Sequence, residues 1–556
     1  MKIYKLSFIA LAISILLSSC GGTAPIVTTP INNIDTLPLK ESPLTDAELK
    51  TWGAADIATD TIPGMSVNKA YSQILKNKKG ATVVIVAVID SGVDIEHEDL
   101  KNVIWVNKGE IPNNGKDDDN NGYIDDVHGW NFLGDIVGEN LEFTRIIRRF
   151  DNDFNGKNAS EISEANKDDY ALYQKAKAEF DKKYATAASN KERYTQMLGQ
   201  VSEAHKAISA KLGKEDYSKE DLSNIKDADE TTQQQIGILS QMLAYEDTIP
   251  KLIEQLDGGI EHFTGQLEKH YNTDTDFRGV LGDNPYDISD SNYGNNDVDG
   301  PTDDKEDVLH GTHVAGIIAA QRGNSVGMDG VASNVKIMVI RAVPDGDEYD
   351  KDVALAIRYA VDNGAKVINA SFGKGYSQNP EWVWDAIEYA SQNDVLIVHA
   401  AGNDGIDNDT TQVYPSDQQG TGGEISDTFI TIGALHHKYG SEMVASFSNY
   451  GATSVDVFAP GTKIWSTTPL STYQFLQGTS MASPGVAGVA AVIRSYYPNL
   501  SAKQVKQILM NSGVPSNTPV ILGGEESNVQ NFSEISTSGK MVNLYNALIM
   551  AEKMSK

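Results

Sequence analysis

Apolar residues along the chain follow two different periods, and the change of period marks the architecture. Residues 82–89 (TVVIVAVI) are a nearly unbroken β-branched run ending at Asp90. Such a run predicts a strand buried on both faces of a parallel sheet. From residue 310 onward, helical spacings alternate with similar short runs. The pattern predicts helices over His313–Ala320, Asp352–Asp362 and Glu381–Gln392, the second closed by Gly364. It predicts strands over Val335–Ala342, Val367–Ala370 and Val395–Ala400, with two more near Phe429–Ile432 and Val455–Phe458. A buried helix is expected from Ser480 to about Tyr496, a capped one from Ser501 to Asn511, and a last one near Asn546. Strand and helix alternating in this way predict an α/β fold, a doubly wound and mostly parallel sheet.

Between residues 131 and 279 the period becomes helical. Tyr173, Phe180, Tyr184, Tyr194, Leu198, Val201, Ile208 and Leu212 recur every three to four positions or multiples of that spacing. Further helices are expected over Glu230–Tyr245 and Pro250–Tyr271, the last broken at Gly258-Gly259. This stretch reads as an inserted α-helical subdomain, splitting the sheet domain into 51–130 and 280–556. Residues 20–50, rich in Thr, Pro and Asn without periodicity, read as a tether.

Composition narrows the setting. Across 556 residues, 46 basic side chains face 77 acidic ones, a formal charge of −31. That balance, with no basic cluster, argues against nucleic acid as a partner. Cys20 is the single cysteine, which excludes internal disulfides and thiolate zinc sites. Lys2 and Lys5 precede an apolar run too short to span a bilayer comfortably, so residues 1–19 read as a removed signal. The stretch Leu17-Ser18-Ser19-Cys20-Gly21 resembles a bacterial lipoprotein processing site, which implies lipidation of Cys20 and anchoring to the outer membrane. The following GGTAPI lacks an acidic or lysine-rich export tag, leaning towards the periplasmic face.

Four segments carry chemistry together: VAVIDSGVD with Asp90, HGTHVAG with His310, VHAAGND with Asn403, and GTSMASPGVAG with Ser480. Asp90 and Asn403 follow strands, and His310 and Ser480 open helices, so all four are expected at the carboxyl edge of one sheet. A serine needs a base to take its proton, and imidazole supplies one near neutral pH. A buried carboxylate holds the imidazole in the right tautomer, while an amide and a helix N-terminus can meet a developing oxyanion.

The order Asp, His, Asn, Ser resembles the subtilisin-type serine peptidases and differs from the chymotrypsin and α/β-hydrolase orders. The lipidated start, the helical insertion and the segment WVNKGEIPNNGKDDDNNGYIDDVHGWNF resemble a Bacteroidetes subgroup of that family. The resemblance implies a serine endopeptidase acting on proteins or peptides, with Asp90, His310 and Ser480 as the triad and His313 as a packed structural histidine. It implies that Ser371, Phe372 and Gly373 pair with substrate backbone, that Ala401 and Gly402 wall the primary pocket, and that Val413 shortens its floor. The family carries histidine where Gly485 stands, and its usual inhibitory pro-domain has no counterpart between Cys20 and the matching region. Rival readings are an idle binding lipoprotein displaying the helical arm, and an esterase using the same triad.

Calcium is the expected cofactor. Asp117, Asp119, Asn121 and Asp125 space oxygen ligands as in half of an EF-hand loop, although His128 replaces its twelfth-position glutamate. Asp99 and Asn324, with carbonyls near Gln321, Val326 and Met328, match a calcium site common in the family.

Overall fold

The computed structural model describes residues 29–556, apart from positions 33, 38, 39, 41, 227 and 420–422. Its strands are β1 (Val84–Asp90), β2 (Gly129–Asn131), β3 (Val335–Arg341), β4 (Val367–Ala370), β5 (Leu396–Ala400), β6 (Phe429–Leu435), β7 (Val457–Pro460), β8 (Ile464–Thr468), β9 (Thr472–Leu476), β10 (Val514–Pro515), β11 (Pro519–Ile521), β12 (Val529–Asn531) and β13 (Lys540–Met541). The main sheet runs β10-β13-β7-β6-β5-β4-β1-β3-β2, parallel except for the β10–β13 pair. β1 is flanked by β3 on one side and β4 on the other, so the chain reverses its direction of travel across the sheet there. Ligands of open α/β sheets bind beyond the strand ends at such a point.

The principal helices are α1 (Glu142–Phe154), α2 (Lys167–Leu212), α3 (Glu230–Met242), α4 (Ile249–Gly265), α5 (Leu309–Ala319), α6 (Asp350–Asp362), α7 (Pro380–Gln392), α8 (Thr479–Tyr496), α9 (Ala502–Ser512) and α10 (Leu544–Met554). α8 is apolar all round because it is buried on all sides, packing on β4 to β7 and on α5. A second core on the opposite sheet face takes α6 and α7. The Ser501–Gln504 capping box forms as the sequence implied.

The insertion is an arm built on α2, 46 residues and therefore about 70 Å long. Its base packs Phe143, Ile146, Phe150, Tyr173 and Tyr271 with Tyr376 of the sheet domain. Its tip is a separate cluster that includes Val201, Ile208, Leu239 and Leu256.

Several expectations are corrected. β2 belongs to the main sheet, and Phe132 lies in the sheet domain's core, so the insertion starts later than residue 131. α4 runs unbroken through Gly258-Gly259; Gly259 is there because a β-carbon would meet the Tyr194 ring at 2.4 Å. The described part of the expected tether is docked: Ile34 is fully buried, and Asn546 Nδ2 donates to the Ile31 carbonyl at 2.9 Å. Cys20 and the expected signal lie outside the described residues. No helix among the described residues is long and apolar enough to cross a membrane.

Candidate functional site

The register of the sheet brings the site together. Ile89 pairs with Ala370 and Ala370 with His399, which sets Asp90, Ser371 and Ala400 at one level of the carboxyl edge. Asp90 is 1% exposed. Its Oδ1 accepts from the Ser91 N–H at 2.8 Å and from His310 Nδ1 at 2.7 Å. Its Oδ2 is buried without a hydrogen-bond partner among the described residues. His310 reaches Asp90 because α5 comes very close to the loop after β1. A β-carbon on Gly311 would meet the Gly92 carbonyl at 2.0 Å, so only glycine fits.

With Nδ1 engaged, Nε2 is the imidazole atom left to act, and the side chain is 38% exposed. Burial lowers the His310 pKa, but the Asp90 charge and hydrogen bond outweigh it and the net shift is upward. His313 behaves oppositely. It is buried, Nε2 lies 3.1 Å from the Ile464 carbonyl, and burial depresses its pKa to about 3, so it stays neutral and structural.

Ser480 stands in the first turn of α8, where backbone N–H groups have no intrahelical acceptor. Pro484, four residues on, has no N–H to give to the Ser480 carbonyl. Ser371 Oγ supplies that bond instead, at 2.9 Å, and in turn accepts from Asn369 Nδ2 at 2.9 Å. The serine is thereby fixed to the end of β4. Its own hydroxyl donates to the Ser371 carbonyl at 3.2 Å, so it must rotate to reach His310. Asn403 is held by its carbonyl oxygen, which accepts from Thr479 N–H at 2.8 Å and Thr479 Oγ1 at 3.0 Å. That leaves its Nδ2 without an acceptor among the described residues, on an exposed residue open to a ligand.

Asp90, His310, Asn403 and Ser480 line one cleft of about 1200 Å³ with Ser371, Phe372, Gly373, Gly402 and Val413. Ala401 does not line it. Its carbonyl is turned to Asn408 and Asn449, and Ala400 takes its place. Gly402 adopts φ +107°, a turn that exposes Asn403. Sequence reasoning missed His399, whose buried ring sits 2.9 Å from the Phe372 carbonyl and steadies the edge strand. It also missed Lys374, the next residue along that edge, whose ammonium is buried between Glu142 at 3.0 Å and Asp350 at 2.9 Å.

The expected metal ligands divide. Asp117 accepts the Asn121 and Gly122 N–H groups, and Asp125 those of Asn114 and Gly115, so both carboxylates close the loop. The oxygens that converge are those of Glu110, Asp119 and Asp126, all within 4.8 Å of one another. Asn121 joins them by donating Nδ2 to Asp126 at 3.0 Å. Glu110 Oε2 is buried with no partner among the described residues, and burial with the nearby Asp119 charge lifts the Asp126 pKa to about 6 against three hydrogen bonds. An orphan carboxylate oxygen within a hard-oxygen cluster fits a calcium ion. Glu110 lies upstream of the loop, outside the spacing that pointed to the other ligands. Asp99 and Asn324 do meet, through Asn324 Nδ2 at 2.6 Å. The Gln321 and Met328 groups bonded to Asp99 are N–H donors rather than carbonyls.

The chain is similar to known proteins. A family model described as the Subtilase family matches residues 81–532. The thermophilic serine proteinase of Bacillus sp. (strain AK1) is 39% identical over 211 residues, 38% of this chain and 46% of that one. Subtilisin DY of Bacillus licheniformis is 40% identical over 205 residues, 36% of this chain and 69% of that protein. The chain thus spans less than half the length of the AK1 enzyme it matches. Proteases from Pseudoalteromonas arctica PAMC 21717 align at 30% identity and a TM-score of 0.35, covering 44% of this chain and 70% of that chain. A family model spanning most of the chain, laid over a sheet edge that gathers these four motifs, makes the chain a member of the subtilase family.

Proposed function

We propose that the protein is a serine endopeptidase that cuts peptide bonds through an acyl-serine intermediate. The observation that carries this reading is the 2.7 Å bond between buried Asp90 and His310, at the edge where Ser480 and the pinned Asn403 also stand. Substrate backbone pairs with Ser371–Gly373. As Ser480 Oγ attacks the carbonyl carbon, His310 Nε2 takes its proton, and Asp90 stabilises the imidazolium. Asn403 Nδ2 and the Ser480 N–H meet the oxyanion. When the tetrahedral species collapses, His310 returns the proton to the departing amine. Water, activated by the same imidazole, then releases the acyl group. A fluorophosphonate probe should label Ser480 in the native protein. No labelling would favour an idle binding lipoprotein instead.

Val413 in the cleft wall supports a shallow primary pocket, favouring small or medium apolar side chains before the cut bond. A peptide-library profile dominated by Phe or Arg there would overturn it. Glu110, Asp119 and Asp126 would hold calcium, whose charge, when bound, cross-links the loop that leads into β2. Residues 1–19 would be removed and Cys20 lipidated, anchoring the enzyme to the outer membrane; Cys20→Ser should move it to the soluble fraction.

A further inference from the structure

The cleft that holds His310 and Ser480 does not end within the sheet domain. It is also lined by Lys175, Glu179 and Lys183 of α2 and by Lys269, just beyond α4. We infer that the base of the helical arm is a substrate subsite, in which Lys175 and Lys183 select acidic side chains four or more residues before the bond to be cut. This rests on the peptidase reading and extends it.

Direction follows from the edge strand. Ser371 touches Ser480, and the chain then leads away through Gly373 and Lys374 to Tyr376. Five residues of extended chain span at most about 17 Å, room for four or five substrate residues. Within that reach Tyr376 is gripped by the arm. Its hydroxyl donates to Glu179 at 2.5 Å, Lys175 Nζ lies 4.7 Å from its ring centroid, and Phe143 meets it edge-on at 6.0 Å.

Charge decides the preference. Lys269 is paired with Asp345 at 3.2 Å, and Lys183 shares Glu179 with the Tyr376 hydroxyl. Lys175 is exposed, and no carboxylate pairs with it among the described residues. Of the arm's three ammonium groups in the cleft, Lys183 and Lys269 are thus each paired with a carboxylate, and Lys175 is left to meet a substrate. On the facing edge, Asp347 accepts the Glu142 N–H at 2.7 Å, and burial pushes the Glu348 pKa upward. An acidic side chain entering here meets the Lys175 ammonium, which has no carboxylate partner among the described residues.

The subsite is also held rigidly. Glu142 binds Lys374 on one cleft edge, and Arg145 donates to the Asp347 carbonyl at 2.6 Å and the Glu348 carbonyl at 2.9 Å on the other. α1 thus spans both edges, and binding need not order the arm first.

The test compares reporter peptides with three residues before the cut bond against the same peptides extended by three glutamates or three lysines. At low salt the glutamate extension should exceed the lysine extension about tenfold in kcat/KM, the ratio falling towards one at high salt. Lys175→Gln with Lys183→Gln should abolish the preference, and Lys175→Glu with Lys183→Glu should invert it. The short peptide should be cleaved within about twofold by every variant. Equal rates for both extensions in the native protein, or an unchanged ratio in the variants, would overturn the subsite. If Ser480 takes up the fluorophosphonate but no peptide turns over, competition of the extended peptides against labelling reads the same preference. Absence of labelling would remove the peptidase reading, and the subsite with it.

Discussion

The sheet edge and the helical arm reach the same cleft by different physics. At the sheet edge, position comes from close approach and main-chain bonds: Gly311 against Gly92, Ser371 bonded to the Ser480 carbonyl, and Asn403 tied to Thr479. Each contact is short, and together they leave the reacting groups little freedom. The arm instead folds around its own two apolar clusters and meets the cleft through buried charge, with Glu142 between Arg145 and Lys374. Burial works to raise the Glu142 pKa, but the two cations outweigh it and hold it at about 2. The contrast teaches that the reacting groups and the proposed subsite for distal acidic residues are separately built and meet at the arm's base.

The largest effect should come from the sheet edge. Ser480→Ala should cut kcat/KM by about 10⁴-fold or more and abolish probe labelling, while thermal stability stays unchanged. A residual rate within tenfold of native would mean another nucleophile does the work.

At the junction, Glu142→Ala leaves two buried cations short of a partner and should cost about 3–5 kcal/mol in denaturant unfolding. Glu142→Gln, which keeps the shape, should cost less and still weaken the preference for extended acidic peptides. Leu239→Ala at the tip should cost about 2–5 kcal/mol of arm stability and leave that preference intact. Should the tip change alter peptide choice as much as the junction change does, the distal preference would not reside at the arm's base.

Asn403→Ala should lower kcat about 10²–10³-fold with little change in KM, because its donors act on the oxyanion rather than the ground state. Calcium at 100 times its dissociation constant should add about 2.7 kcal/mol to stability, and Glu110→Gln should remove most of that gain in a thermal melt.

The smallest effect concerns pH. His310 is a base only when neutral, and its folded pKa lies above the ordinary 6.5. Activity should therefore fall as pH drops through a value above 6.5. By linkage, the same raised pKa contributes stability that is full below 6.5 and is lost as pH rises through the folded value. In Asp90→Asn the imidazole resonances should titrate at a lower pH; titration at the native value would show that Asp90 is not the cause.

The amino-acid sequence alone determined the parallel α/β sheet, most helix boundaries to within a few residues, and the four motifs at the sheet edge. These are local signals: runs of β-branched residues, capping boxes, and glycines beside polar groups. Tertiary structure decided what depends on distant chain meeting. Glu110 joined Asp119 and Asp126 in place of Asp117 and Asp125, Ala400 replaced Ala401 in the cleft wall, and Ile34 docked where a loose tether was expected. Only tertiary structure brought Lys175 to the cleft of His310. A helical period states which face of α2 is apolar, but it carries nothing about the partner that face will find.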